Sequence, residues 1–292
     1  MTDPMIQFRE ALQATFGPLD WLPEPDGAIH RFCVPGDRPG SLNGWYVLFL
    51  DGIASGAFGS WKAGSSHTWS SRKPADPLEV QLIAQRVEKA KKQREAERYQ
   101  RQQRAAAYAV RLCRDARHAD ADHPYLSRKR IKPHNLRQVD DVLLVPLFAE
   151  HQLVNVQRIH TDGEKRFLSG GRITGAYSCI GLLEPEQPLY VCEGWATGAT
   201  IHAQTGAAVA CAMNAGNLKP VALAIRAKHG ADLQIVIAGD DDRQTDGNPG
   251  RTAATAAAIA IGAEVAFPEW PDGAPIELTD FNDLQRWSAG HE

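Results

Sequence analysis

Glu193-Gly194 and Asp240-Asp241-Asp242 are the residues of this chain whose types and spacing could carry chemistry. Each group follows an apolar run that reads as a strand, Leu189 to Cys192 and Leu233 to Ala238. In open α/β sheets the working residues lie just past the C-terminal ends of the strands. If those two strands are neighbours, Glu193 meets Asp240 and Asp242 at one rim. Residues two apart on an extended segment share a side, so Asp240 and Asp242 can act together. Crowded carboxylates repel one another, and a bound divalent cation removes that penalty. Carboxylate and water ligands suit Mg²⁺ or Mn²⁺. Taken alone, the triplet reads equally well as a turn, because Asp is common after strands and at helix starts. Glu-Gly followed in order by Asp-x-Asp is the more specific signal.

The elements around these residues must form a scaffold that positions them. From Leu189 onward, apolar runs alternate with helical patterns: Ala196 to Gln204, Leu218 to Lys228 and Arg251 to Ile261 read as helices. Ala207 to Ala210 and Glu264 to Phe267 read as further strands. Such alternation predicts crossover units and a parallel sheet. Upstream, Val142 to Phe148 and Leu153 to Ile159 read as paired strands, followed by Arg166-Phe167-Leu168 and then Gly170-Gly171. Residues 76–117, nearly free of Gly and Pro after Pro77, read as one long helix with a positive surplus. That surplus is either a solvated face or an arm that neutralises phosphates. Residues 1–75 are rich in Gly, Pro and aromatics, with a short helix from Met5 to Phe16 and strands around Trp45 to Leu50 and Ala57 to Trp61. The expected fold class is therefore α/β. A β-rich module (1–75), a basic helical linker (76–117) and a small mixed α+β lobe (118–186) precede a parallel sheet flanked by helices (187–292).

The order of motifs in the C-terminal part resembles the Toprim domain, shared by topoisomerases and bacterial-type primases, with Glu193-Gly194 after the first strand and Asp240-Asp241-Asp242 after a later one. Asp280-Phe281-Asn282-Asp283-Leu284 is similar to the acidic segment that follows the domain in phage and plasmid primases, which makes Asp280 and Asp283 candidates to complete a metal site. Upstream, His123-Pro124-Tyr125-Leu126 with the basic cluster Arg128-Lys129-Arg130 and Ile131 is similar to the segment that opens phage primase cores. Arg158 and the run Lys165-Arg166-Phe167 resemble their paired strands and basic segment. The resemblance implies a primase-like nucleotidyltransferase in which Glu193, Asp240 and Asp242 hold the metal. Glu193 is also open to a role as proton acceptor. Arg158, Lys165, Arg166, Arg128, Lys129 and Arg130 are the candidates for nucleotide and nucleic-acid contacts, against the alternative of ordinary surface cations. A triphosphate bridged by metal needs such cations to offset its remaining charge.

The implied partners are a single-stranded DNA template and nucleoside triphosphates. Unwinding is left to a separate replicative helicase, because no GxxxxGK[ST] loop occurs among the 292 residues. Two other readings stay open: a metal-dependent nuclease using the same acidic rim, and a non-catalytic nucleic-acid-binding accessory protein. A topoisomerase is not favoured, since no module for a tyrosine nucleophile is recognisable. Zinc is not expected: His30, Cys33 and His67 lack paired ligand spacing. Trp45, Phe58, Trp61 and Trp69 are expected mainly in a core, with base stacking as the alternative. The net charge of −3 gives no global basic excess, although local patches can still act. The five scattered cysteines point to a reducing compartment. Met1-Thr2-Asp3-Pro4 lacks a leader pattern, and the apolar stretch Ala253 to Ala266 is too short to span a bilayer. The expected location is the cytoplasm.

Overall fold

Asp3 opens the first helix by accepting a hydrogen bond from the Met5 N–H on its side chain, with Pro4 at the first helical position, where its missing N–H costs nothing. The structure is a computed structural model that describes residues 3–291; Met1 and Thr2 of the N-terminal reading lie outside them. The chain divides into two units, one ending at Gln100 and one starting at Arg101.

In the first unit, α1 (Pro4–Phe16) lies with a four-stranded antiparallel sheet of β1 (His30–Phe32), β2 (Gly44–Phe49), β3 (Ser55–Ser60) and β4 (Ser65–Ser70), in that order. Strand alternation sends Tyr46, Leu48 and Phe58 to one face, where they bury Phe8 and Leu12 of α1. Trp45, Val47 and Ala57 take the other face against Ala90 of α2 (Pro77–Asp115). Two cations of the long helix are used here: Arg86 donates to the Ile53 carbonyl and the Ser55 hydroxyl, and Arg94 lies 4.0 Å over the Trp45 ring. Trp45 and Phe58 are core residues at 1% and 4% exposure, whereas Trp61 and Trp69 are half-buried. His30 pairs with Asp26, Cys33 faces the Val34 and Arg38 carbonyls, and His67 stacks on Phe58.

The second unit holds two further sheets. One is antiparallel, in the order β5 (Arg117–His118), β6 (Arg137–Val139), β7 (Val142–Ala149), β8 (Gln152–Ile159) and β9 (Lys165–Phe167). Glu150 and His151 join β7 to β8 with positive φ at both positions, as a twist-matched two-residue hairpin turn requires. A short helix, α3 (Pro124–Lys129), starts from a His123 cap. One face of this sheet buries Leu144 and Val156 against Ala109 near the end of α2.

The other sheet has the order β10 (Ser178–Ile180), β12 (Val209–Cys211), β11 (Leu189–Cys192), β13 (Ile235–Ala238) and β14 (Glu264–Ala266). Helices α4 (Trp195–Thr205), α5 (Leu218–His229) and α6 (Pro249–Ile261) connect its parallel strands, and α7 (Phe281–Ser288) follows. The expected parallel sheet is present, with β10 added as an antiparallel edge. The free face of the antiparallel sheet (Leu143, Val145, Leu147, Ile159) and the C-terminal sheet (Cys192, Trp195, Ala199, Val209) share one core. No helix among the described residues is long and apolar enough to cross a membrane.

Close packing fixes α4 on its strands. A Cβ at Gly198 would lie 2.3 Å from the Cys211 sulfur and 3.3 Å from a Val209 methyl, both on the buried β12. Gly198→Ala is therefore expected to lower stability by about 1–3 kcal/mol through overpacking. Chemical denaturation followed by circular dichroism checks this; an unchanged midpoint would show that α4 lifts away freely.

Candidate metal centre

The carboxylates are gathered by strand order. β11 and β13 are parallel neighbours with Cys192 opposite Ala238, so Glu193 leaves its strand beside the segment that carries Asp240. The Glu193 backbone carbonyl is held by the Met213 N–H at 2.6 Å, which ties it to the end of β12 as well. Gly194 caps α4 in an extended conformation, and a Cβ there would meet only the Thr197 hydroxyl, at 3.4 Å. Packing within the chain does not demand this glycine. It leaves the rim beside Glu193 uncovered.

The members of the acidic triplet differ in their surroundings. Asp241 is buried at 4% exposure. It accepts from Arg251 Nε at 2.6 Å, Asn248 Nδ2 at 2.7 Å and Trp270 Nε1 at 3.0 Å. Asp240 and Asp242, on either side of it, are instead coupled electrostatically to Glu193. Asp242 accepts from the Gly250 N–H at the start of α6, at 2.8 Å. A Cβ at Gly250 would press on Asp242 and on the Asp240 carbonyl, so only glycine lets the helix start come this close. Asp240 keeps one buried carboxylate oxygen, Oδ1, with no hydrogen-bond partner. A buried acceptor in this state is costly unless a ligand completes it.

Asp280 caps α7 by accepting from the Asp283 N–H at 2.8 Å and stands in the electrostatic field of Asp240 and Glu193. Burial first, and then Glu193, Asp280 and Asp242, push the Asp240 carboxyl up to about 8, with Lys165 opposing. Burial and Asp242 likewise push Glu193 up, against the Ala215 N–H and Lys165. Burial alone would also raise Asp241, but its bonds from Arg251, Asn248 and Trp270 outweigh this and hold it below the ordinary value. The rim thus holds Glu193, Asp240, Asp242 and Asp280 in mutual repulsion with one underbonded oxygen. Hard oxygen donors in this state suit a divalent cation.

The other expected residues separate. Asp283 pairs with Lys129 at 3.2 Å, and both side chains are largely buried. Lys165 is exposed and is the cation felt by Glu193 and Asp240. Arg158 and Arg166 face each other across β8 and β9 in register with Leu144, on the face turned toward α2, and Arg166 pairs with Glu164. Alternation separates them from Lys165, the neighbour of Arg166. Arg128 donates to the Thr161 carbonyl and lies over Tyr125, and Arg130 is an exposed cap in the left-handed region. Sequence reasoning missed Asn282. Its Nδ2 joins the Lys129 carbonyl at 2.8 Å to the Thr200 hydroxyl at 2.9 Å and so docks α7. Its only signal is a polar residue between two candidate acids.

Residues 188–290 match the Toprim domain family, whose members hold divalent metals. The chain is 36% identical over 275 residues to a DNA primase TraC of Escherichia coli, covering 90% of this chain and 19% of that protein. A second DNA primase TraC of Escherichia coli is 35% identical over 289 residues, covering 92% of this chain and 27% of the relative. The chain therefore spans only about a fifth to a quarter of the length of these relatives. No solved structure matches.

The raised carboxyls set a pH dependence. Asp240 binds its proton up to about 8 when folded, against an ordinary 3.8, so the folded chain holds more protons than the unfolded chain across that interval. Stability of the metal-free protein then falls as pH rises through the same interval. Thermal melts at pH 5, 6.5 and 8 are expected to show this decline. Asp240→Asn should flatten it, and added Mn²⁺ should raise the melting temperature more at pH 8 than at pH 6.5. A metal-free melting temperature that climbs toward pH 8 would contradict the assignment.

Proposed function

We propose, for a chain that carries a Toprim domain and resembles the Toprim-domain primases of bacteria, phages and plasmids, that it joins nucleoside triphosphates into short oligonucleotides on single-stranded DNA. The observation that carries this reading is the placement of Glu193 and Asp240 just past the ends of neighbouring parallel strands, with Asp242 and Asp280 acting electrostatically on both, Asp240 Oδ1 unpartnered and Lys165 the cation that opposes them. Glu193, Asp240 and Asp242 would hold Mg²⁺ or Mn²⁺, with Asp280 beside them. Bound there, the cation would offset phosphate charge and favour the alkoxide of an attacking hydroxyl.

The chain's own residues supply the rest. Lys165 offsets the charge of the triphosphate and helps align it, and alignment with charge stabilisation is most of what phosphoryl chemistry asks of a protein. Arg128, held by the Thr161 carbonyl and the Tyr125 ring, adds positive potential on the same lobe. Glu193, whose carboxyl burial and Asp242 push up in the metal-free chain, serves as ligand, as base or as both. These 292 residues contain no phosphate-binding GxxxxGK[ST] loop, so the reading assigns them no unwinding step.

The test incubates the purified chain with single-stranded DNA, labelled ribonucleotides or deoxyribonucleotides, and Mg²⁺ or Mn²⁺, with products resolved on a denaturing gel. Short new oligomers are expected from the wild type. Glu193→Gln and Asp240→Asn should each lower the yield by about 100-fold or more, the scale of losing a main stabiliser of transition-state charge. Lys165→Ala should raise KM for the nucleotide more than it lowers kcat. Cleavage of the template in place of synthesis would replace this reading with a nuclease. DNA binding with neither product would leave an accessory protein.

A further inference from the structure

Asp241 is the member of the acidic triplet that no ligand role uses, yet it is the most buried and the most firmly bonded of the three. Its partners come from two places. Asn248 and Arg251 belong to the cap and first turn of α6, and Trp270 belongs to residues 268–279, which form neither helix nor strand before α7. The backbone of Asp241 grips the same segment, its N–H donating to the Thr279 carbonyl at 2.7 Å. Thr279 immediately precedes Asp280. Arg243 adds bonds to the Pro275 and Leu278 carbonyls at 2.6 and 3.2 Å, and its guanidinium lies 4.5 Å over Trp270. Asn248 also accepts from the Asp242 N–H at 2.9 Å, so the partner that holds Asp241 also sets its neighbour.

We propose that Asp241 is a positioning residue. Its buried carboxylate and backbone fasten the irregular segment 268–279 to the β13 rim and so place Asp280 beside Asp240 and Glu193. The proposal rests on the metal-rim reading given above. A segment without its own backbone ladder is held in place by such cross-links, and a carboxylate bonded to three donors holds its neighbours in fixed directions. Asp241 touches no ligand. It works through Asp280.

The experiment uses the whole chain and Mn²⁺ alone as probe, with free Mn²⁺ read by electron paramagnetic resonance. Metal-free thermal melts are recorded for every variant. Asp241→Asn is expected to weaken Mn²⁺ binding about 10-fold, the scale of losing a group that orients a ligand. In an Asp280→Asn background the same change should cost less than about 2-fold, because two residues acting through one route are not additive. Trp270→Phe, which keeps an aromatic side chain and loses the indole N–H, should reproduce part of the shift with a near wild-type melt, and it decides the matter if Asp241→Asn does not fold. Equal losses in both backgrounds, or unchanged affinity in Asp241→Asn and Trp270→Phe, would overturn the positioning role. If Glu193→Gln leaves Mn²⁺ binding untouched, the rim itself is misassigned and the proposal falls with it. If Glu193→Gln abolishes binding while Asp241→Asn and Trp270→Phe do not shift it, only the positioning role falls.

Discussion

Repulsion among carboxylates partly removed from water is the interaction around which the second unit is arranged. Burial makes Asp240 and Glu193 harder to ionise, Asp242 and Asp280 add to this at both, and Glu193 adds to it at Asp240. A fold that tolerates this must spend fixed dipoles on the acids. The Gly250 N–H faces Asp242, the Asp283 N–H faces Asp280 and the Ala215 N–H faces Glu193. Two of these donors, at Gly250 and Asp283, sit in the first turns of helices, where backbone N–H groups have no partner within the helix. Asp240 receives the least help, and it is the acid pushed furthest from its ordinary value.

The antiparallel lobe contributes by register. Leu143, Val145, Leu147 and Ile159 alternate onto the face that packs against Cys192 and Trp195, and the ladder places Lys165 opposite Ile159 on that same face. Lys165 thereby becomes the cation that moderates Glu193 and Asp240. The neighbouring Arg166 is turned toward Arg158 and α2. One step along β9 thus decides which basic residue belongs to the rim.

Much of this was legible in the residues. Leu189 to Cys192 reads as a strand and is one to the residue, and the parallel alternation that follows it is present because apolar runs broken by helical periods leave few alternatives. Other features left no local trace. Ser178–Ile180 is three residues without alternation, and it becomes a strand only because β12 offers an edge. The pairing of Lys129 with Asp283 spans 154 positions, and no local pattern announces it. The buried role of Asp241 depends on Trp270, which lies in a segment with no period at all.

The core shared by the antiparallel lobe and the C-terminal sheet has a consequence for where a boundary can be drawn. The family match begins at residue 188, but Trp195, Ala199 and Val209 complete their packing on Tyr125, Leu126, Leu143 and Leu147. The segment that matches the family is here not a segment that closes its own core. Cut at the start of the match, the sheet would keep every acid of the rim and lose one wall of its interior, leaving an apolar surface where a buried contact stood. The heritable module and the smallest piece able to hold its shape are different lengths of this chain.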